Sequence, residues 1–167
     1  MNIVLLGTMD HISRDDLKEA LEKLDLKEPD TEILDRMFTM FDDMGENNVM
    51  YNNFCAAICL LTTGAPRTKL KHAFSLYDRK GSGSINRLDT KNCLCAMNSA
   101  CSYFGDPVVG DDEIAEMLNE CYKKGSEEGI VQMSAVKYEE FIPLVIDSQL
   151  FFKFICALGT VNYVKSK

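Results

Sequence analysis

Asp78-Arg79-Lys80-Gly81-Ser82-Gly83-Ser84-Ile85-Asn86-Arg87-Leu88-Asp89 is the stretch that decides the fold. Its first place is an acid, its sixth a glycine, its eighth an apolar residue and its twelfth an acid. A hard cation takes roughly six to eight oxygens, so in a loop of this spacing alternate side chains converge, glycine turns the backbone and the last acid binds through both oxygens. Helical patterns flank it. Leu70, Ala73, Phe74 and Tyr77 recur on one face before the loop, and Leu88 to about Ala100 continues as a helix after it.

Working outward, the same frame repeats. Asp42 to Asn53 has an acid at its first place, Val49 at its eighth and Phe54 just after it. Leu34, Met37, Phe38 and Phe41 precede it at the offsets that Leu70, Ala73, Phe74 and Tyr77 hold before Asp78. Ile114, Met117, Leu118 and Cys121 precede a longer third loop that ends at Glu140. The N-terminus carries a further trace, with Ile12 at an eighth place and Asp16 at a twelfth. The notional starts, at Leu5, Asp42, Asp78 and about Tyr122, recur roughly every 40 residues. Between them the apolar period predicts helices. Ser13-Arg14-Asp15-Asp16 opens one with Leu17, Ala20, Leu21 and Leu24, and Asp30 or Thr31 caps the next. Others are expected over Tyr51 to Leu61, Asp111 to Tyr122, Tyr138 to Val145 and Gln149 to Leu158.

These repeated helix–loop–helix units resemble the EF-hand superfamily over nearly the whole chain. Three stretches resemble its calcineurin B, neuronal calcium sensor and calaxin branch: Asp35-Arg36-Met37-Phe38-Thr39-Met40-Phe41-Asp42, Lys69-Leu70-Lys71-His72-Ala73-Phe74-Ser75-Leu76-Tyr77-Asp78, and Tyr138-Glu139-Glu140-Phe141. The long link from Asn98 to Asp112 also resembles that branch. The resemblance implies an all-α fold of EF-hand pairs in two lobes, with short β contacts between loops. The lobes are expected at 1–64 and 65–167, and the first unit is expected to lack its entering helix.

Departures from the pattern decide what the loops can hold. In the Asp42 loop the third place is Met44, which offers no oxygen, and the twelfth is Asn53, a neutral amide. Asn47 stands at the sharp turn, where it tolerates a left-handed backbone less well than glycine. This site is read as empty. In the Asp78 loop, Lys80 puts an ammonium at the third place and repels a cation. Asp78, Ser82, the Ser84 carbonyl and Asp89 are the candidate metal ligands, expected to hold calcium or magnesium no more tightly than ~10⁻⁴ M. The last loop has two frames: Tyr122 stands first when counted forward from Cys121, and Gly129 when counted back from Phe141. An insertion is therefore expected between Lys123 and Val136, with no acid at the first place in either frame.

Loops without metal still pair through their eighth places, here Val49, Ile85 and an apolar partner such as Ile130 or Val136. A groove that no metal opens must be permanently open, clamped on a constitutive partner or filled by the chain itself. Leu150, Phe151, Phe154 and Ile155 of the 149–158 segment either fill it or complete the core.

The remaining composition excludes other classes. Across 167 residues, 18 Lys+Arg against 26 Asp+Glu give a net charge of -8, which repels phosphate and argues against nucleic acid as a partner. Hydrophobic residues at 46% and charged ones at 26% are globular proportions. Seven cysteines without a secretory signal argue against a disulfide framework and for a reducing, cytoplasmic setting. Asn2 at a myristoylation position and a tail of Lys165-Ser166-Lys167 predict no lipid anchor. Cys93 and Cys95, with Cys101, and the pair Cys55 and Cys59, read as small buried residues before a redox or zinc site. Met37, Met40, Met50 and Met97 read as core before groove lining, His11 and His72 as surface or core residues, and Arg67, Lys69 and Lys71 as a solvated face. No nucleophile elbow, P-loop or HExxH occurs. The expected function is a non-catalytic adaptor or structural subunit that binds a basic amphipathic or coiled-coil helix largely without calcium, in a ciliary or cytoskeletal assembly. The alternative is a calcium-responsive regulatory subunit of an enzyme, acting through the Asp78 loop.

Overall fold

The computed structural model describes residues 10–24, 26–62, 64–105, 108–126, 129–132 and 134–147. The 149–158 segment and Leu5 lie outside them. The chain divides into two compact units, Met1–Phe54 and Cys55–Lys167, and its fold is all-α with small antiparallel strand pairs at the loops.

In the first unit, β1 (His11–Ser13) leads into α1 (Arg14–Leu24), followed by α2 (Glu28–Phe41), β2 (Asn48–Met50) and α3 (Tyr51–Leu61), which contains the boundary between units. β1 pairs antiparallel with β2, and Ile12 stands opposite Val49. Both side chains are buried, together with Leu17, Leu21, Met37 and Phe38. Phe54 meets Phe38 and Phe41 edge-on, at ring-centroid distances of 5.7 and 6.2 Å. The start of α2 differs from expectation. Lys27 is its N-cap, and Asp30 and Thr31 lie inside the first turn. Pro29 explains this, because its fixed φ suits a first helical turn and its missing N–H is no loss there.

In the second unit, α4 (Pro66–Tyr77), β3 (Ser84–Asn86) and α5 (Arg87–Tyr103) form one helix–loop–helix. α6 (Asp111–Cys121), β4 (Lys123–Ser126), β5 (Gly129–Gln132), β6 (Ala135–Lys137) and α7 (Tyr138–Asp147) form the other. α4 packs on α5 and α7, and α6 packs on the same two helices. β3 pairs with β6, placing Ile85 opposite Val136. Val136 is thus the partner of Ile85, and Ile130 belongs to β5, which pairs with β4. The insertion expected between Lys123 and Val136 is this β4–β5 hairpin. It interrupts the first half of the last loop, while Val136 at an eighth place keeps the second half in frame up to Glu140.

The basic face is corrected at one position. Lys69 is only 2% exposed, and its Nζ donates to the Leu60 carbonyl at 2.7 Å. That carbonyl lies in the last turn of α3, where unpaired acceptors and the helix dipole favour a cation. Arg67 and Lys71 are exposed as expected.

Candidate metal loops and the paired-loop site

Each described loop keeps its shape through its own hydrogen bonds. Asp42 accepts from the Glu46 and Asn47 backbone N–H groups, both at 2.9 Å. Asp78 accepts from the Ser82 N–H at 2.8 Å, the Ser82 hydroxyl at 2.9 Å and the Gly83 N–H at 2.6 Å. Desolvation raises the Asp78 pKa, but these bonds outweigh it and the net shift is downward. Both sharp turns are left-handed, with φ +74 at Gly83 and +55 at Asn47. The asparagine therefore makes the turn that glycine makes in the neighbouring loop, as its short polar side chain permits.

Of the four candidate ligands, three converge. The Ser82 hydroxyl lies within 2.9 Å of an Asp78 carboxylate oxygen and 3.0 Å of the Ser84 carbonyl. Asp89 is engaged elsewhere. Asn86 caps α5 by accepting from the Asp89 N–H at 2.9 Å, and its amide donates to the Asp89 carboxylate at 2.6 Å. A reciprocal cap recurs at Asp16, and half of one at Glu140. Asp16 accepts from the Ser13 N–H at 2.9 Å and hydroxyl at 2.6 Å, which lowers its pKa, and the Asp16 N–H donates back to the Ser13 hydroxyl. Glu140 accepts from the Lys137 N–H at 3.2 Å. The donor set does not fit calcium well. One carboxylate and two neutral oxygens converge where roughly six to eight oxygens are taken, and the twelfth-place acid serves a helix cap. Among the described residues no group of three or more His, Cys, Asp or Glu side chains is placed to hold a metal ion.

What holds the loops together is the pairing. The ladder extends past the eighth places, with the N–H of Arg14 donating to Asn47, Tyr51 to Asp10 and Tyr138 to Gly83, at 3.2, 3.0 and 3.1 Å. A repeated arginine device follows, which sequence reasoning missed. Arg14 donates to Asp35 at 2.5 Å, Thr39 at 3.0 Å and Asn47 at 3.1 Å, with its guanidinium 4.7 Å over the Phe38 ring. Arg87 donates to the Leu118 carbonyl at 3.0 Å and Asn119 at 2.7 Å, 5.6 Å from the Tyr122 ring. Each arginine stands two residues after its eighth-place isoleucine and holds the next unit's entering helix, Arg14 along the second half of α2 and Arg87 at the end of α6. The signal was in the chain as Ile12-Ser13-Arg14 and Ile85-Asn86-Arg87.

Tyr122 was also underread. It stands where a metal loop starts with an acid, and it is fully buried. Its hydroxyl donates to the Ile85 carbonyl at 3.0 Å and lies 2.6 Å from the buried Thr90 hydroxyl. Burial pushes its pKa up to about 12. Burial also raises the thiols: Cys59 and Cys121 to about 11, and Cys93 and Cys95 upward. A thiol held protonated is a poor nucleophile and a poor metal ligand; Cys55, Cys93, Cys101 and Cys121 are buried, whereas Cys59 and Cys95, expected to be buried, are only half-buried.

Helix–loop–helix units joined at their eighth-place residues make an EF-hand fold. No family model matches the chain. It is 29% identical over 86 residues to "Calcium-binding protein NCSA" of Dictyostelium discoideum, covering 52% of this chain and 45% of that protein. It is 23% identical over 155 residues to "Guanylyl cyclase inhibitory protein" of Lithobates pipiens, covering 92% and 74%. It is 26% identical over 132 residues to "Troponin C, isoform 2" of Caenorhabditis elegans, covering 76% and 68%. The chain thus spans under half of the first relative and more of the others. Together with the fold, these similarities support the EF-hand family and select no branch within it. No helix among the described residues is long and apolar enough to cross a membrane.

Proposed function

We propose that this chain is a non-catalytic EF-hand adaptor or regulatory subunit that holds a partner helix largely without calcium. One observation carries the reading. The twelfth-place acids Asp16, Asp89 and Glu140 are hydrogen-bonded into the N-terminal caps of the helices whose first turns they occupy, while Ile12–Val49 and Ile85–Val136 pair the loops by side-chain burial and backbone bonds. A scaffold assembled this way needs no metal to present its helices. The net charge of -8 suits a basic amphipathic or coiled-coil segment, and its field would speed encounter. The family resemblance suggests a ciliary or cytoskeletal assembly as the setting. Isothermal calorimetry with calcium, with and without magnesium, tests the reading. Silence in both supports it, and substitution Asp78→Asn should then leave partner capture in chelator unchanged. Partner capture seen only in calcium would overturn it.

A second reading is favoured by the converging oxygens of Asp78, Ser82 and Ser84, and by relatives whose names include calcium binding and the regulation of guanylyl cyclase. Here the Asp78 loop binds calcium despite Lys80, and the chain is the calcium-responsive subunit of an enzyme. Micromolar binding accompanied by a change in exposed apolar surface would give this reading the lead.

A further inference from the structure

The outer face of the Asp42 loop carries a cavity of about 210 Å³, whose walls include His11, Phe41, Asp43, Met44, Glu46 and Met50. Two features set it apart from an ordinary loop surface. Met44 stands at the third place, where a metal loop needs an oxygen, and it is 84% exposed; Met50 is 45% exposed and pairs across the strands with His11. Water is a poor place for two thioether side chains, and methionine packs adaptably on varied surfaces. Beside them, the side chains of Asp43 and Glu46 have no hydrogen-bond or ion-pair partner among the described residues. The residues at this loop therefore form an apolar wall edged by two carboxylates without a partner among the described residues.

We infer that this cavity receives an arginine side chain of the partner helix, a proposal that rests on the adaptor reading above. An arginine matches both parts of the surface. Its alkyl stem can lie on Met44, Met50 and the Phe41 ring while the guanidinium stays at the wet rim. Its planar fork can serve both carboxylates, and it sheds water more readily than an ammonium does. A purely apolar side chain would leave Asp43 and Glu46 unused, and a bare hard cation would meet thioethers in place of oxygens.

The test uses the full chain in chelator, with the methionine ε-methyl groups labelled for NMR. N-acetyl-arginine amide should shift the Met44 and Met50 methyls and leave those of buried Met37 and Met97 in place. N-acetyl-norleucine amide should bind at least about fivefold more weakly, and so should arginine amide to the Asp43→Asn/Glu46→Gln variant, since rim charges set such preferences. An acetylated, amidated amphipathic helix of Leu and Arg then probes the larger surface. The exposed positions allow Met44→Ala/Glu46→Gln to fold, and this variant should weaken the helix about tenfold. If the helix binds wild type and variant equally with the Met44 and Met50 methyls unmoved, the cavity assignment is overturned and the adaptor reading stands. If arginine amide moves the methyls but no helix binds in chelator, the cavity stands and the adaptor reading falls. Silence from both probes removes both.

Discussion

The buried hydroxyl of Tyr122 offers a direct test of how protein groups join the paired loops of the second unit. Tyr122→Phe keeps the ring and removes one oxygen, which donates to the Ile85 carbonyl at 3.0 Å and meets the Thr90 hydroxyl at 2.6 Å. A neutral buried hydrogen bond contributes about 1 kcal/mol net, and the loss also strips the Ile85 carbonyl of a partner, so the cost should be about 2 kcal/mol. Thr90→Val, also at a fully buried position, should cost somewhat less, because the one Thr90 proton serves the Tyr122 oxygen, the Asn86 carbonyl 3.0 Å away only competes for it, and no carbonyl loses its sole side-chain donor. The two hydroxyls share one bond, so the double variant should fall short of the sum of the singles by about 1 kcal/mol. Native-state hydrogen exchange at the Ile85 and Val136 amides reads the opening of this unit by itself. A Tyr122→Phe cost below about 0.5 kcal/mol, or strict additivity of the pair, would show that the loop pair does not depend on this polar link.

Other outcomes follow from the same geometry. Lys80→Asp replaces a repelling ammonium with a carboxylate, and calorimetry should show calcium affinity raised by about tenfold or more; adding Asn86→Asp, which removes the amide donor holding the Asp89 carboxylate, should raise it further. Arg87→Met keeps the alkyl stem but loses the bonds to Leu118 and Asn119, and should cost about 1–2 kcal/mol in urea unfolding, with Arg87→Lys recovering only part because it lacks the fork. Alkaline stability has a defined window. Cys121 is raised from 9.0 to about 11 and Tyr122 from 10.0 to about 12, so each ionises first in the unfolded chain. Stability is therefore intact below pH ~9 and lost as pH rises through 11 to 12, which a series of thermal melts would follow.

Much of the architecture was readable because it depends on residues at fixed offsets. The eighth-place residues Ile12, Val49 and Ile85 mark the strands where they occur, and the apolar period places α3 at Tyr51–Leu61 as expected. What stayed hidden depends on contacts between distant segments. The choice of Val136 over Ile130 turns on a hairpin whose register only folding selects. Lys69 looks like any cation of an amphipathic helix, and only the approach of the α3 terminus makes it buried. The roles of Asp16, Asp89 and Glu140 were hidden for another reason. An acid three residues after a polar N-cap fits a metal loop and a capping box equally well, and spacing alone cannot separate the two.

That ambiguity bears on what metal binding would cost each loop. At the Asp78 loop, the carboxylate that would close a metal shell is the group that Asn86 holds against the start of α5. A cation entering the loop must draw Asp89 out of that contact while Lys80 opposes it, so binding competes with a cap already made. In the Asp42 loop the competition has ended, because Asn53 brings no carboxylate to the twelfth place. In the last loop the β4–β5 hairpin and Tyr122 stand where the first ligands would be, yet Val136 still meets Ile85. Across these cases the metal-facing half of the loop varies while the strand pair persists. The strand pairs and arginine contacts join the helix–loop–helix units through protein groups alone, so on the adaptor reading the units stay joined when the cation is withheld.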